Sequence, residues 1–242
     1  MEVSNDSNPC IVKENIEPPE MPAGCFSSWL RRIRYALLTN NGVNVPCGEC
    51  NACCKSSYFI HIKPEETETL ARIPKELLFP APGLPQGNVL LGYDQKGHCP
   101  LLVDDKCSIY EHRSITCRNY DCRIFAAAGI NADEADRAGM QQPIQRWIFN
   151  YPTQRDRDQH AAVKAAARFM RERAACFPGG APGTAAQLAI VAIKVYEVFL
   201  AIKAQSAQTG CVPSDIEIAK MIMEANAKFE AKYDAPKAHQ PR

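Results

Sequence analysis

Several ordinary features are missing from this chain, and each absence narrows what it can be. An excess of one charge is missing: 28 basic residues stand against 27 acidic ones, a formal net charge of +1. So even a balance gives no broad basic field for nucleic acid and no acidic surface aimed at a basic partner, and no nucleic-acid partner is expected. The opening stretch, Met1 to Cys10, is polar and acidic, without the basic segment and apolar run of an export leader. Cytoplasmic residence is therefore the expectation. In a reducing compartment cysteines serve metal or redox chemistry more often than a disulfide framework. The longest apolar run, Ala185 to Ile202, is interrupted by Lys194 and Glu197. Both would be costly inside a bilayer, so a buried core helix is expected there and no membrane span. A glycine-rich nucleotide loop after a clear strand is missing too, as is any internal repeat of helical-array type.

Cysteine, by contrast, is abundant, at 12 of 242 residues, in a chain whose 46% hydrophobic content is enough for a folded core. Four cysteines fall in the stretch Cys47-Gly48-Glu49-Cys50-Asn51-Ala52-Cys53-Cys54, and four more follow as Cys99, Cys107, Cys117 and Cys122. A C-x2-C spacing lets two thiolates bend back onto one ion, and Gly48 frees the turn between them. Zinc knuckles and iron–sulfur proteins both use this spacing. Cys54 follows Cys53 directly, and neighbouring residues tend to project in different directions. The expectation is that the two serve different ions, or that one is a spare thiol. Together the blocks supply enough thiolates for two four-cysteine sites, or for one polynuclear cluster with a structural zinc. All-sulfur ligation suits zinc or an iron–sulfur cluster.

Other residues are assigned around these thiols. Arg113, Arg118 and Arg123 stand where they can offset thiolate charge, and Tyr110 and Tyr120 where a hydroxyl can reach sulfur. His61, His98 and His112 are read as surface or supporting residues in preference to ligands. Cys10 and Cys25 have no partner at ligand spacing and are read as incidental thiols; Cys176 and Cys211 carry no assigned role.

The pattern between the motifs predicts an α+β chain, mostly α: a small irregular cysteine-rich metal-binding domain packed against flanking and C-terminal helices. Residues 1–24 and 236–242 read as disordered arm and tail around a single domain, 25–235, with its cysteine cluster at 43–125 and a C-terminal helical part at 131–235. Apolar residues at three-to-four spacing predict a helix over 27–40, with Ser27 or Ser28 as its cap and Arg31, Arg32 and Arg34 on a solvated edge. Tyr58 to Ile62 reads as a strand, Pro64 to Ile73 as a helix, 74–88 as an irregular loop, and Asp104-Asp105-Lys106 as a hairpin turn. Ile124 to Gly129 reads as a helix, 131–146 as a short helix or loop, and the aromatic run Trp147 to Tyr151 as core packing. Helices are predicted at about 157–175, 184–206, where apolar residues lie nearly all round and place the helix centrally, and 214–233, opened by Ser214 and Glu217 at capping-box spacing.

Residues 47–125 resemble the YkgJ-type cysteine-cluster family, the zinc- or iron-chelating CxxCxxCC domain, sometimes described as iron–sulfur-containing. The resemblance is carried by Cys47 to Cys54, by Gly97-x-Cys99-Pro100-Leu101-Leu102, and by Cys107-x-Ile109-Tyr110-x-x-Arg113-x-x-x-Cys117-Arg118-x-Tyr120-x-Cys122. One departure is Ser114, where the family often has proline. The resemblance implies metal chelation. Some flagellin lysine N-methylases look similar over the cysteine cluster, but the C-x3-C-x2-C spacing of radical enzymes using S-adenosylmethionine is absent. The leading expectation is a protein binding zinc or an iron–sulfur cluster through eight cysteines, an accessory or electron-carrying factor with a protein or redox partner. The rivals are a metal-dependent enzyme, either an oxidoreductase or a protein lysine methylase, and a zinc-stapled interaction module.

Overall fold

A computed structural model of the chain describes residues 20–39, 42–43, 45–46, 50–130 and 144–234. In chain order these form β1 (Met21–Cys25), α1 (Phe26–Thr39), β2 (Ile60–Ile62), α2 (Thr67–Leu70), β3 (Leu78–Pro80), β4 (Val89–Leu91), β5 (Leu102–Val103), β6 (Lys106–Cys107), α3 (Ile115–Asn119), α4 (Arg123–Ala128), β7 (Trp147–Asn150), α5 (Gln154–Glu172), α6 (Ala185–Thr209) and α7 (Asp215–Asp234). The architecture is α+β and mostly α, as the pattern predicts.

One part is helical and is organised around α6. Its Leu188, Ala189, Ala192, Ile193 and Val195 are buried. The helix packs against α4, α5 and α7. By length and composition alone α6 could cross a membrane; in this fold its two charges are engaged, Lys194 with Glu230 at 2.8 Å and Glu197 with Arg34 at 3.4 Å. Arg34 does not lie on a solvated edge as expected. It donates to the carbonyls of Ile193 and Lys194, and lies over the rings of Tyr196 and Phe229. Its long alkyl stem and flat guanidinium let it close α1 onto α6 and α7.

The inner end of the segment expected as a disordered arm, 1–24, is instead part of the fold. Residues 1–19, Cys10 included, lie outside the described residues, but Met21–Cys25 is a strand, paired in parallel with β7. Burial of Met21 and Ala23 explains the ordering, and the aromatic run opposite supplies Trp147 and Phe149 to the same core. The N-cap expected of Ser27 or Ser28 is provided from elsewhere. Asp156, in the first turn of α5, accepts the Ser27 backbone N–H at 2.9 Å and the Cys25 thiol at 3.1 Å. The same carboxylate accepts the Thr153 backbone N–H, and Thr153 Oγ1 accepts from Asp156 N, a capping box that starts α5 three residues earlier than its apolar pattern suggests. Hydrogen bonding by Thr153 and Ser27 holds the Asp156 carboxyl far below the usual carboxylate range.

The other part is short-stranded and irregular. β4 lies between β2 and β3, antiparallel to both. The stretch 74–88 is therefore no simple loop, since β3 forms inside it to complete the sheet. The predicted 64–73 helix contracts to the single turn of α2. β5 and β6 make the expected hairpin, with Asp104 and Asp105 both at positive φ (48° and 61°), the turn that matches strand twist. A small second core of Ile62, Ile73, Leu91 and Leu101 sits under the sheet. The stretch 131–143, most of the predicted 131–146 segment, falls outside the described residues.

Candidate metal centre

The first cysteine block enters the described residues at Cys50, Cys47 lying outside them. Cys53 and Cys54 sit on one 3-10 turn, Ala52–Lys55. That turn is tied to the β5–β6 hairpin: Asn51 donates to the carbonyl and carboxylate of Asp105, and Lys55 Nζ lies 2.6 Å from the same carboxylate. The clamp brings Cys107, on β6, opposite the first block. Cys99 is docked by its own backbone, its N–H donating to the Cys54 carbonyl at 2.7 Å. Gly97 makes this approach possible. Its φ is +78°, and a Cβ there would collide with the Ser57 hydroxyl.

Cys117 rides on α3. Ser114 caps that helix, its hydroxyl accepting the Cys117 N–H at 3.2 Å, so the residue that departs from the family pattern sets the backbone of a candidate ligand. Glu66 is a contributor that sequence reasoning passed over. Its buried carboxylate accepts from Lys63 N and from Ile115 N, at 2.9 and 2.6 Å, binding the end of β2 to the start of α3. Nothing local marks Glu66, because Ile115 is 49 residues away. Gly42 lies against Arg118 so closely that a Cβ would stand 2.6 Å from the Arg118 Cβ, and the Val43 N–H donates to the Arg118 carbonyl. This contact places the segment leading into the first block beside α3.

The result is one cavity of about 540 Å³ whose walls include Cys50, Cys53, Cys54, Cys99, Cys107 and Cys117. Cys53 and Cys54, expected to diverge, both face it and share a hydrogen bond, because the tight turn sets their side chains side by side. Cys122 is elsewhere. It is buried at the start of α4 in the main core, its sulfur accepting the Trp147 indole N–H at 3.0 Å. Of the arginines only Arg113 lines the cavity, stacked on Tyr110 at 3.9 Å. Arg123 does not face sulfur as expected. It is buried against Asp121, with two bonds of 2.8 Å, while the Trp29 indole donates to the same carboxylate at 2.9 Å. The Tyr110 hydroxyl reaches toward the Val45 carbonyl, and the Tyr120 ring packs near Tyr58. His61 pairs with Asn88, His112 lies 3.9 Å from Glu68, and neither they nor His98 line the cavity.

The electrostatics of the thiols depend on one another. Cys53 is drawn down to about 7, first by the Cys54 thiol that donates to it. Cys54 is pushed far up for the complementary reason, and by burial. Burial raises Cys99, and raises Cys117 to about 11 against the bond with Ser114; neighbouring thiolates add to both. Cys54, Cys99 and Cys117 thus hold their protons until a cation takes their place. This donor set fits zinc or iron, since soft sulfur is what both take in all-thiolate sites. Among the described residues no three His, Cys, Asp or Glu side chains already form a ligand set for one ion. The sulfurs line a space instead of meeting at a point.

Residues 46–140 match the sequence model of a family described as "CxxCxxCC: Putative zinc- or iron-chelating domain". No curated protein and no solved structure matches the chain. The cavity cysteines Cys50, Cys53, Cys54, Cys99, Cys107 and Cys117 all lie within the stretch that this match covers.

Proposed function

We propose that this protein is an electron-carrying accessory factor that holds one polynuclear iron–sulfur centre in the cysteine-lined cavity. The observation that carries this reading is the sharing of a single cavity by Cys50, Cys53, Cys54, Cys99, Cys107 and Cys117. Two separate mononuclear sites need two separate groups of four donors, and a shared cavity favours one centre with several metal atoms. In this reading Cys122 is a core thiol that supports the centre through Trp147 and is not itself a ligand. Cytoplasmic residence and a redox partner belong to the same proposal.

The test is anaerobic purification followed by a visible spectrum and assays for iron, zinc and acid-labile sulfide. Iron and sulfide in comparable amounts are expected, with broad absorption that Cys53→Ser and Cys117→Ser abolish and Cys122→Ser leaves in place. Colourless protein carrying zinc alone overturns the cluster and makes zinc the resident metal. Protein with neither metal overturns the reading altogether.

A further inference from the structure

A metal centre accounts for the sulfurs on the cavity wall but not for the rest of its lining. A thiolate-held metal centre, mononuclear or polynuclear, is ringed by its sulfurs and takes up only the sulfur-lined part of the wall. The cavity here is about 540 Å³, inside the range of about 300–1,000 Å³ in which small organic ligands are bound. Apolar side chains share the wall with the thiols, Ile60, Leu102 and Ile109 among them. At its mouth Phe59 is 54% and Tyr110 is 41% exposed. Phe59 stands in a cluster of exposed rings, 5.8 Å from Phe79 and 5.0 Å from Tyr93 between centroids. Such a rim is a surface on which a flat ring can pack.

Arg113 supplies the second half of the argument. Arg34, Arg72, Arg123 and Arg173 each have a carboxylate partner. Arg113, the arginine on the cavity wall, has none among the described residues, as Arg31 and Arg32 on the surface of α1 also have none. Its guanidinium lies flat on Tyr110 and spends one donor on the Tyr110 carbonyl at 2.8 Å. A guanidinium has five N–H donors in a fixed fork that suits a carboxylate. The remaining Arg113 donors have no partner on the cavity wall among the described residues.

We infer that the cavity is also a small-molecule site, which takes an aromatic carboxylate beside the metal, with Arg113 holding the carboxylate and the Phe59 rim packing against the ring. This inference rests on the metal reading in that both occupants share the cavity, and its test separates the two.

The full-length, metal-loaded protein is titrated calorimetrically with phenylacetate, with acetate as the ringless control and benzylamine as the control of opposite charge. Phenylacetate is expected to saturate, and both controls to bind about tenfold or more weakly, the effect of losing one good charged or packing contact. Arg113→Gln is expected to weaken phenylacetate to a similar degree with metal per chain unchanged. Equal affinity for phenylacetate and acetate, or undiminished binding by Arg113→Gln, overturns the inference. If Arg113→Gln also sheds its metal, Phe59→Ser decides, because Phe59 is exposed and bears no sulfur: weaker phenylacetate binding with the metal intact supports the site, and unchanged binding overturns it. Protein that purifies without iron or zinc, takes up neither on reconstitution, and still binds phenylacetate defeats the metal reading and leaves this one standing. Metal-loaded protein indifferent to phenylacetate does the reverse.

Discussion

Phe26, Trp29, Phe125, Val163, Met170 and Ile193 are fully buried in one continuous core of the helical part, whereas the cysteine-rich part gathers a cluster of four, Ile62, Ile73, Leu91 and Leu101, beneath its sheet and is hollow beside them. The first is held by removal of apolar surface from water, which needs no ligand. The second joins strands of two or three residues and a single-turn helix around a group of thiols. Elements that short do not stand alone. The comparison teaches that one chain can rest on two unlike sources of stability, and that each has a distinct way of failing.

Stripping the metal is the strongest way to separate them. Structural zinc contributes on the order of 10 kcal/mol in small thiolate sites. A chelator is therefore expected to abolish amide-exchange protection over residues 50–119 while protection in α5, α6 and α7 survives. Helical circular dichroism should fall little, since the long helices lie outside the cysteine-rich part. Unchanged exchange at Cys99 and Cys117 would mean that the small core suffices, and the comparison would fail. The next largest effect is expected at the junction. Asp121 follows α3 by two residues and holds Arg123 and Trp29 in the helical part. Asp121→Ala leaves a buried guanidinium unpaired and should cost about 3–5 kcal/mol in urea unfolding. Replacing both partners, Asp121→Leu with Arg123→Met, should restore most of that loss. A cost for Asp121→Ala near that of a surface pair, about 0–1 kcal/mol, would show the junction to be wet.

Much of the fold was legible because its signals are local. The hairpin turn at Asp104 and Asp105, the Ser214–Glu217 box and the apolar circumference of α6 are each contained within one element, and each forms as read. What was not legible depends on residues far away in the chain. β1 exists because β7, more than 120 positions later, pairs with it. Ser27 needs no cap of its own because Asp156 is there. Spacing and residue type sorted the cysteines into two blocks, but not into positions in space. The 3-10 turn sets Cys53 beside Cys54, and the Trp147 indole occupies the Cys122 sulfur. Arg123 likewise follows Cys122 in sequence yet turns to Asp121, because a buried guanidinium takes the nearest carboxylate.

The same truncation placed in each part sharpens the contrast. Ile193 and Ile62 are both fully buried. Ile193→Ala opens a hole in the dense core and should cost toward the upper end of about 2–5 kcal/mol. Ile62 already lines the cavity. It forfeits fewer contacts, so Ile62→Ala should fall near the lower end of that range and show itself instead as weaker metal retention. Equal costs by urea unfolding, with metal content unchanged, would mean that the two cores are packed alike.

Acid should reach the helical part by a route of its own. His160 is buried, stacked on Phe26 at 4.3 Å between centroids, with Nδ1 2.7 Å from the Tyr151 hydroxyl. Burial first, then the charge of Lys164, lowers its pKa from 6.5 to about 4, so the folded protein keeps the ring neutral. The sign follows from which state takes up the proton first. As the pH falls below about 6.5 the unfolded chain protonates its histidine while the folded one does not, and stability drains away until the folded ring protonates near pH 4. Each tenfold difference in proton affinity between the two states is worth about 1.4 kcal/mol, so the loss, discounted for partial solvent screening, is on the order of 2–3 kcal/mol. His160→Phe combined with Tyr151→Phe keeps the aromatic stack and removes the titration, so its unfolding free energy should fall less steeply than the parent's between those limits. Both proteins must be compared metal-free, because acid also strips thiolate-bound metal. Parallel pH profiles for the two would return the acid sensitivity of the whole chain to the cysteines.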